Sequence, residues 1–235
     1  MGLPQAREAT ETSVRERWMI EYEISGDLRY ISHHDTLRLF QRAFARAEFP
    51  LRYSAGFNPH PRLSILLPRP VGVASKCEAI VVELQGRIEP ESIADRVNAQ
   101  MPAGAVVRGA RPLAVGERPT PDLVRYRLDA PVVEQEVLLR RMTEVLSAES
   151  CVVSRSDEKG VVRKTDIRPY LVEIRIGEGG VEFTLRVTGR GTARPAEVAG
   201  LLGFDAKAIN HKITRLHVTW ARSGKTNDDT VHDER

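Results

Sequence analysis

Apolar and polar positions alternate through the first patterned stretch of the chain. Trp18, Ile20, Tyr22 and Ile24 are interleaved with Met19, Glu21 and Glu23, the two-residue period of a strand with one face buried. Gly26-Asp27 breaks the run and Leu28–Ile31 follows. Ser32, with Asp35 three residues later, then supplies the cap of a helix. Leu37, Phe40, Phe44 and Ala47 recur at helical spacing, so one face of that helix meets a core. His34, Arg38, Arg42 and Arg46, four residues apart, form a second line on a different side. Phe49-Pro50 ends the helix.

Short strands are expected at Leu51–Ser54, Leu63–Leu67, Glu78–Leu84 and Ala105–Leu113. Ala55–Pro61 reads as a loop, Arg69–Val73 as irregular extended chain and Glu91–Met101 as a second helix. The order is βαββαβ with extra extended segments. It recurs after residues 116–122, where two prolines and a glycine read as a linker. The second copy runs through Val124–Leu128, a helix over Glu134–Leu146, and extended pieces at Cys151–Arg155 and Val161–Thr165. A hairpin of Leu171–Ile176 and Val181–Val187, a helix at Pro195–Leu202 and a strand at Ile213–Trp220 complete it. The expected fold is α+β: two tandem ferredoxin-like (βαββαβ) domains, with antiparallel sheets and helices on one face. Residues 17–115 and 123–221 would be the domains, 1–16 a flexible lead and 222–235 a disordered tail.

Composition narrows the function classes. The chain has 235 residues, 41% hydrophobic and 29% charged, in keeping with a globular protein. Two cysteines, Cys77 and Cys151, are too few for a disulfide-rich scaffold, a four-cysteine zinc site or a cluster held by cysteines of this chain alone. No run approaches the roughly 20 apolar residues of a membrane span, and Met1–Arg17 has no apolar core of signal-peptide type. A cytoplasmic location is therefore expected. The net charge is only +3, but six of the 35 basic residues are lysines and the rest arginines. Arginine holds phosphate or carboxylate in a bidentate fork, which suits RNA contact. A high-GC genome gives the same bias.

Charge is concentrated between Arg29 and Arg69. Seven arginines there stand against two acids, Asp35 and Glu48, a net of +5. Arg29, His34, Arg38, Arg42 and Arg62 are the candidate phosphate contacts. Tyr53, Phe57, Asn58 and His60 form a loop whose aromatics can stack on bases. Asp35 most simply completes the helix cap. His33 at the helix start is expected to face the sheet as a hydrogen-bonded residue, and adjacent helical histidines diverge by about 100 degrees, which argues against a shared metal. No metal and no cofactor are expected.

In the second half, alternation places Lys164, Asp166 and Arg168 on one side of a strand. The glycine-rich run Thr188–Pro195 enters a helix, and its backbone with Arg194 can hold an anion. Arg215 and His217 alternate on one face of the last strand.

Leu28–Asp35, the arginine-rich helix and Tyr53–Ser64, with its Gly56-Phe57-Asn58-Pro59-His60-Pro61 core, resemble the signature of the radical SAM-linked domain family, a domain of unknown function. Pro68, Pro70–Val73, Glu78, Asp166–Tyr170 and Gly191–Pro195 fit the same signature, over about residues 18 to 220. The resemblance implies a domain found behind a cobalamin-binding radical SAM protein or encoded apart from it, often near an E/G-type ribonuclease. It implies an accessory or substrate-presenting module for a radical SAM partner, acting on RNA. Cys77 and Cys151 cannot supply that partner's cysteine triad.

The expected function is a non-catalytic accessory or substrate-binding module that binds RNA and acts with a separately encoded radical SAM enzyme. The alternatives are a metal-independent endoribonuclease using His33 or His34 with His60, and a protein–protein adaptor without nucleic-acid contact.

Overall fold

The expected Trp18–Ile24 alternation forms an interior strand, β1 (Arg15–Ile24), which buries Trp18, Ile20, Tyr22 and Ile24 on one face. The computed structural model describes residues 15–129, 135–157, 159–177 and 179–221. Residues 1–14 of the expected lead and the whole expected tail lie outside the described residues. Arg15 and Glu16, assigned to the lead by their polarity, belong to β1, where they pair with Gln85 and Leu84. Backbone pairing extends the strand beyond its apolar pattern.

After a 3-10 turn at Gly26–Tyr30 comes helix α1 (His33–Arg46), then β2 (Leu63–Ile65), β3 (Ala74–Gln85), α2 (Pro90–Asn98) and β4 (Ala105–Pro112). α1 and α2 pack Phe40, Phe44, Ile93 and Val97 onto the Trp18–Ile24 face. Met19 points the other way, to a small cluster with Ala79, Val81 and Leu113. The expected strand at Leu51–Ser54 reduces to isolated bridges, Leu51 to Leu84 and Tyr53 to Pro61.

The second half contains β5 (Thr120–Asp129), α3 (Gln135–Ser147), the β6–β7 hairpin (Val152–Ser156, Val162–Asp166), β8 (Leu171–Gly177), β9 (Gly180–Arg186), α4 (Pro195–Leu201) and β10 (Ile213–Ala221). Leu138, Met142, Val145, Val198 and Ala199 from its helices pack against Val124, Leu128, Phe183, Leu185 and Ile213. Thr120, Pro121 and Asp122, assigned to the linker, lie in β5. Pro121 and Thr120 face Trp220 and Ala221, with a register shift that leaves Asp122 unpaired with β10. Proline cannot serve a ladder with an N–H, and a bulge accommodates it.

The architecture is mixed α+β, with one large sheet and, among the described residues, four α-helices. Strand order is β4-β1-β3-β10-β5-β9-β8, with β2 also on β3. The halves thus share a sheet. Their joint departs from the antiparallel expectation, because β3 and β10 run parallel over Ala74–Ser75 and Thr214–Arg215.

Side chains reinforce that joint. Arg215 Nη1 donates to Glu78 Oε1 at 2.7 Å and to the Leu67 carbonyl at 3.0 Å. Its Nη2 donates to the Pro68 carbonyl and its Nε to the Tyr126 hydroxyl. Burial opposes the guanidinium charge, but the Glu78 carboxylate and the Tyr126 oxygen hold it above the ordinary arginine range. Nearby, the Gly72 N–H and Arg69 Nη1 donate to the Arg29 carbonyl at 2.8 and 2.7 Å, and Asn210 Nδ2 donates to the Val71 carbonyl. Among the described residues no helix is long and apolar enough to cross a membrane.

Candidate functional site

Helix α1 has a buried side and a charged side, and the second of these borders a groove. The Ser32 hydroxyl accepts from the Asp35 N–H at 3.1 Å and donates to Asp35 Oδ2 at 2.7 Å, fixing the first turn. This is the cap that the Ser32/Asp35 spacing indicates. Thr36, Phe40, Ala43 and Phe44 then face the sheet, which leaves Arg38, Arg42 and Arg46 on an outer line.

At the other wall, Asn98 holds the turn after α2. Its side chain donates to the Val107 carbonyl at 2.9 Å and accepts from the Val107 N–H at 2.7 Å. Arg96 of α2 lies over the Phe49 ring at 4.2 Å and donates to the Ala47 carbonyl at the end of α1. The two helices are therefore tied together beside the groove.

The groove has a volume of about 590 Å³. Arg38, Arg42 and Arg46 rim it, and Leu28, Ile31, Leu39, Ala43, Met101 and Pro102 supply its apolar lining, with Asp35, Ala99 and Gln100. Arg38 Nη1 reaches Asp35 Oδ1 at 3.1 Å, but both side chains are exposed and the pair is worth little. Hydrogen bonding from Ser32, followed by the Arg38 contact, holds the Asp35 carboxyl below its ordinary range. Arg42 and Arg46 are exposed and enter no hydrogen bond or ion pair among the described residues. Three guanidiniums thus face one carboxylate around an apolar floor.

The remaining sequence candidates scatter. His34 is exposed, with its ring 5.4 Å from that of His33. His33 is half-buried, and its Nδ1 is buried without a hydrogen-bond partner, contrary to the bonded helix-start role expected of it. Arg29 is structural: its Nη1 donates to the His211 carbonyl at 2.6 Å and its Nε to the Gly26 carbonyl. Tyr53, Phe57, Asn58 and His60 are exposed, with the Phe57 ring fully in solvent. The loop is braced by the His60 N–H on Ser54 Oγ and the Ser54 N–H on the His60 carbonyl. None of its residues lines the groove. Arg62 lies 3.9 Å from Glu83, which Arg52 holds at 2.7 Å.

In the second half, Lys164 is exposed on β7. Asp166 Oδ1 accepts from the Cys151 and Arg168 N–H groups. Arg168 does not share the strand face with Lys164 and Asp166. It has left β7 for a 3-10 turn, and its guanidinium donates to the carbonyls of Leu146, Ala148 and Leu171. Unsatisfied carbonyls at the end of α3 explain that arrangement. Arg194 is exposed at a cavity of about 510 Å³ that also involves Pro68, Arg69, Pro70 and Asn210. The glycine-rich run beside it closes on itself, with the Thr188 and Gly191 backbones paired.

Arg215 and His217 do not share a face. A bulge at Leu216 breaks the alternation, so Arg215 is buried in the joint and His217 is exposed. Sequence reasoning also missed the lining from Leu28, Ile31, Met101 and Pro102, which is brought together from segments about 70 residues apart. Among the described residues no group of three or more His, Cys, Asp or Glu side chains comes together as a metal site.

Residues 17–195 match a family described as an uncharacterized protein conserved in bacteria, DUF2344. The chain belongs to this family. No curated protein matches it in sequence. The DUF2344 match begins two residues into β1, includes both walls of the groove, and extends to the first residue of α4.

Proposed function

We propose that this DUF2344 chain is a non-catalytic module that binds RNA along the arginine rim of the α1 groove and acts with a separately encoded radical SAM enzyme. The observation that carries the RNA reading is the Arg38–Arg42–Arg46 line, of which Arg42 and Arg46 have no protein partner among the described residues. Four-residue steps on a helix set successive arginines roughly 6 Å apart, on the scale of neighbouring phosphates. Guanidinium suits bidentate contact with phosphate oxygens.

The partner follows from the resemblance of Leu28–Asp35 and Tyr53–Ser64 to the radical SAM-linked signature. The two cysteines bear on it as well. Cys151 is buried and Cys77 half-buried, and burial pushes the Cys77 thiol up to about 11. Neither offers a ready thiolate for a cluster, so the cluster is assigned to the partner.

The finer reading of the fold is two ferredoxin-like units, 17–115 and 123–221. The strand orders β4-β1-β3-β2 and β10-β5-β9-β8 support it, each unit having the order βαββαβ once the β6–β7 hairpin is set aside. The endoribonuclease alternative receives no support from the groove, because the loop carrying His60 contributes nothing to it.

Titration of a fluorescent single-stranded RNA across a salt series tests the proposal. Each neutralised phosphate contributes a slope of about −0.7 in log affinity against log salt, so phosphates on Arg42 and Arg46 should give about −1.4. The Arg42→Glu/Arg46→Glu variant should bind weakly with a shallow slope. Equal binding by that variant, or none by the parent at low salt, would refute the RNA reading. Co-purification with a radical SAM enzyme of the same cell tests the partner.

A further inference from the structure

The groove differs from a simple basic helix face in having a concave apolar floor beside the charges. A surface that only followed the outside of a duplex would need the arginines alone. Here Leu28, Ile31, Leu39 and Met101 form partly buried walls between the 3-10 turn, α1 and the turn after α2. Leaving such surface open to water is unfavourable in the free protein, and covering it rewards a ligand with an apolar face.

From this geometry we infer that the groove takes an unpaired nucleotide of a single RNA strand, with its base on the apolar floor and its flanking phosphates on Arg42 and Arg46. The inference rests on the RNA reading above and specifies the form of RNA. A volume of about 590 Å³ lies within the range of small-ligand sites and accommodates a base with its sugar. Bases pair and stack inside a duplex, where they are unavailable to such a floor, whereas a single strand can turn one out. The Met101 thioether is polarizable and suits contact with a π-face. Arg42 and Arg46 stand at the rim, where phosphates on either side of an inserted base would lie. Asp35 at the N-terminal end, paired with Arg38, would repel a strand there, which places the contacts toward Arg42 and Arg46.

An acidic protein helix is the competing occupant. It fits less well, because a helix about 10 Å across would ride on the rim and leave the floor uncovered.

The test compares three labelled RNAs on the full chain by anisotropy: a single-stranded dodecamer, its duplex, and the same strand with abasic riboses. Alongside them, Ala99→Leu narrows the groove at an exposed position without changing an arginine or a core residue. The single strand should bind at least tenfold tighter than the duplex or the abasic strand. Ala99→Leu should weaken the single strand severalfold and leave duplex affinity unchanged. If all three RNAs bind equally and with salt dependence, the RNA reading stands and the inserted base is overturned. If no RNA binds, both fall. If poly-glutamate displaces the single strand at lower charge concentration than unlabelled RNA does, the occupant is an acidic protein segment and the inference is overturned.

Discussion

Arg215 and Glu78 meet at 2.7 Å with both side chains about 2% exposed, and they belong to strands of different halves. Removing one member of a buried pair leaves the other charged and unpaired, which costs about 3–5 kcal/mol. Arg215→Ala should lose that much stability in urea unfolding, since the carbonyls of Leu67 and Pro68 also lose their donor. A double replacement, Arg215→Met with Glu78→Met, should be clearly less damaging. A loss below about 1 kcal/mol for Arg215→Ala would show that the pair is not needed at the joint.

Gly72 makes a further contact between the halves sensitive to a single methyl group. Its φ is +92, and a Cβ there would stand 3.0 Å from the Asn210 Cβ. Gly72→Ala should cost about 1–3 kcal/mol, from backbone strain and a forced shift of Asn210. Gly116→Ala, with a similar positive φ of +80 but open space around it, isolates the strain alone. Equal melting temperatures for the two variants would remove the steric part.

Asp35 couples the α1 cap to acid. Its carboxyl titrates lower in the folded chain than the ordinary 3.8, first because Ser32 donates to it. The cap's contribution is therefore complete above the unfolded value and is lost as pH falls through the lower folded one. Asp35→Asn should unfold with a shallower acid limb below about pH 4, and the two proteins should converge in stability at the lowest pH. An unchanged acid limb, followed by circular dichroism, would contradict this.

Burial raises both thiols, and that of Cys77 reaches about 11. At pH 8 the folded chain should react slowly with a thiol-specific chromogenic reagent, and two thiols should titrate at once in denaturant. A fast-reacting thiol in the folded chain would undo the assignment of the cluster to a partner.

Much of the chain could be read locally. The Trp18–Ile24 alternation, the Ser32/Asp35 cap, the Phe40/Phe44 stripe and the Leu171–Val187 hairpin each depend on neighbours within a few residues. Backbone periodicity and capping chemistry act at that range, so they are written in the order of residues.

Contacts across the chain decided the rest. Arg215 looks like any strand arginine until Glu78, 137 positions away, neutralises it in the core. The Leu216 bulge separates Arg215 from His217, and β10 draws Thr120–Asp122 out of an apparent linker. Met101 and Pro102 become a wall for Leu28 and Ile31 only once α1 and α2 lie side by side on one sheet. Periodicity, capping and turn residues established most of the elements and the arginine line. Which arginine is buried as a joint and which are left facing a groove was settled by desolvation, because a guanidinium enters the core only where tertiary structure brings it a carboxylate and carbonyls.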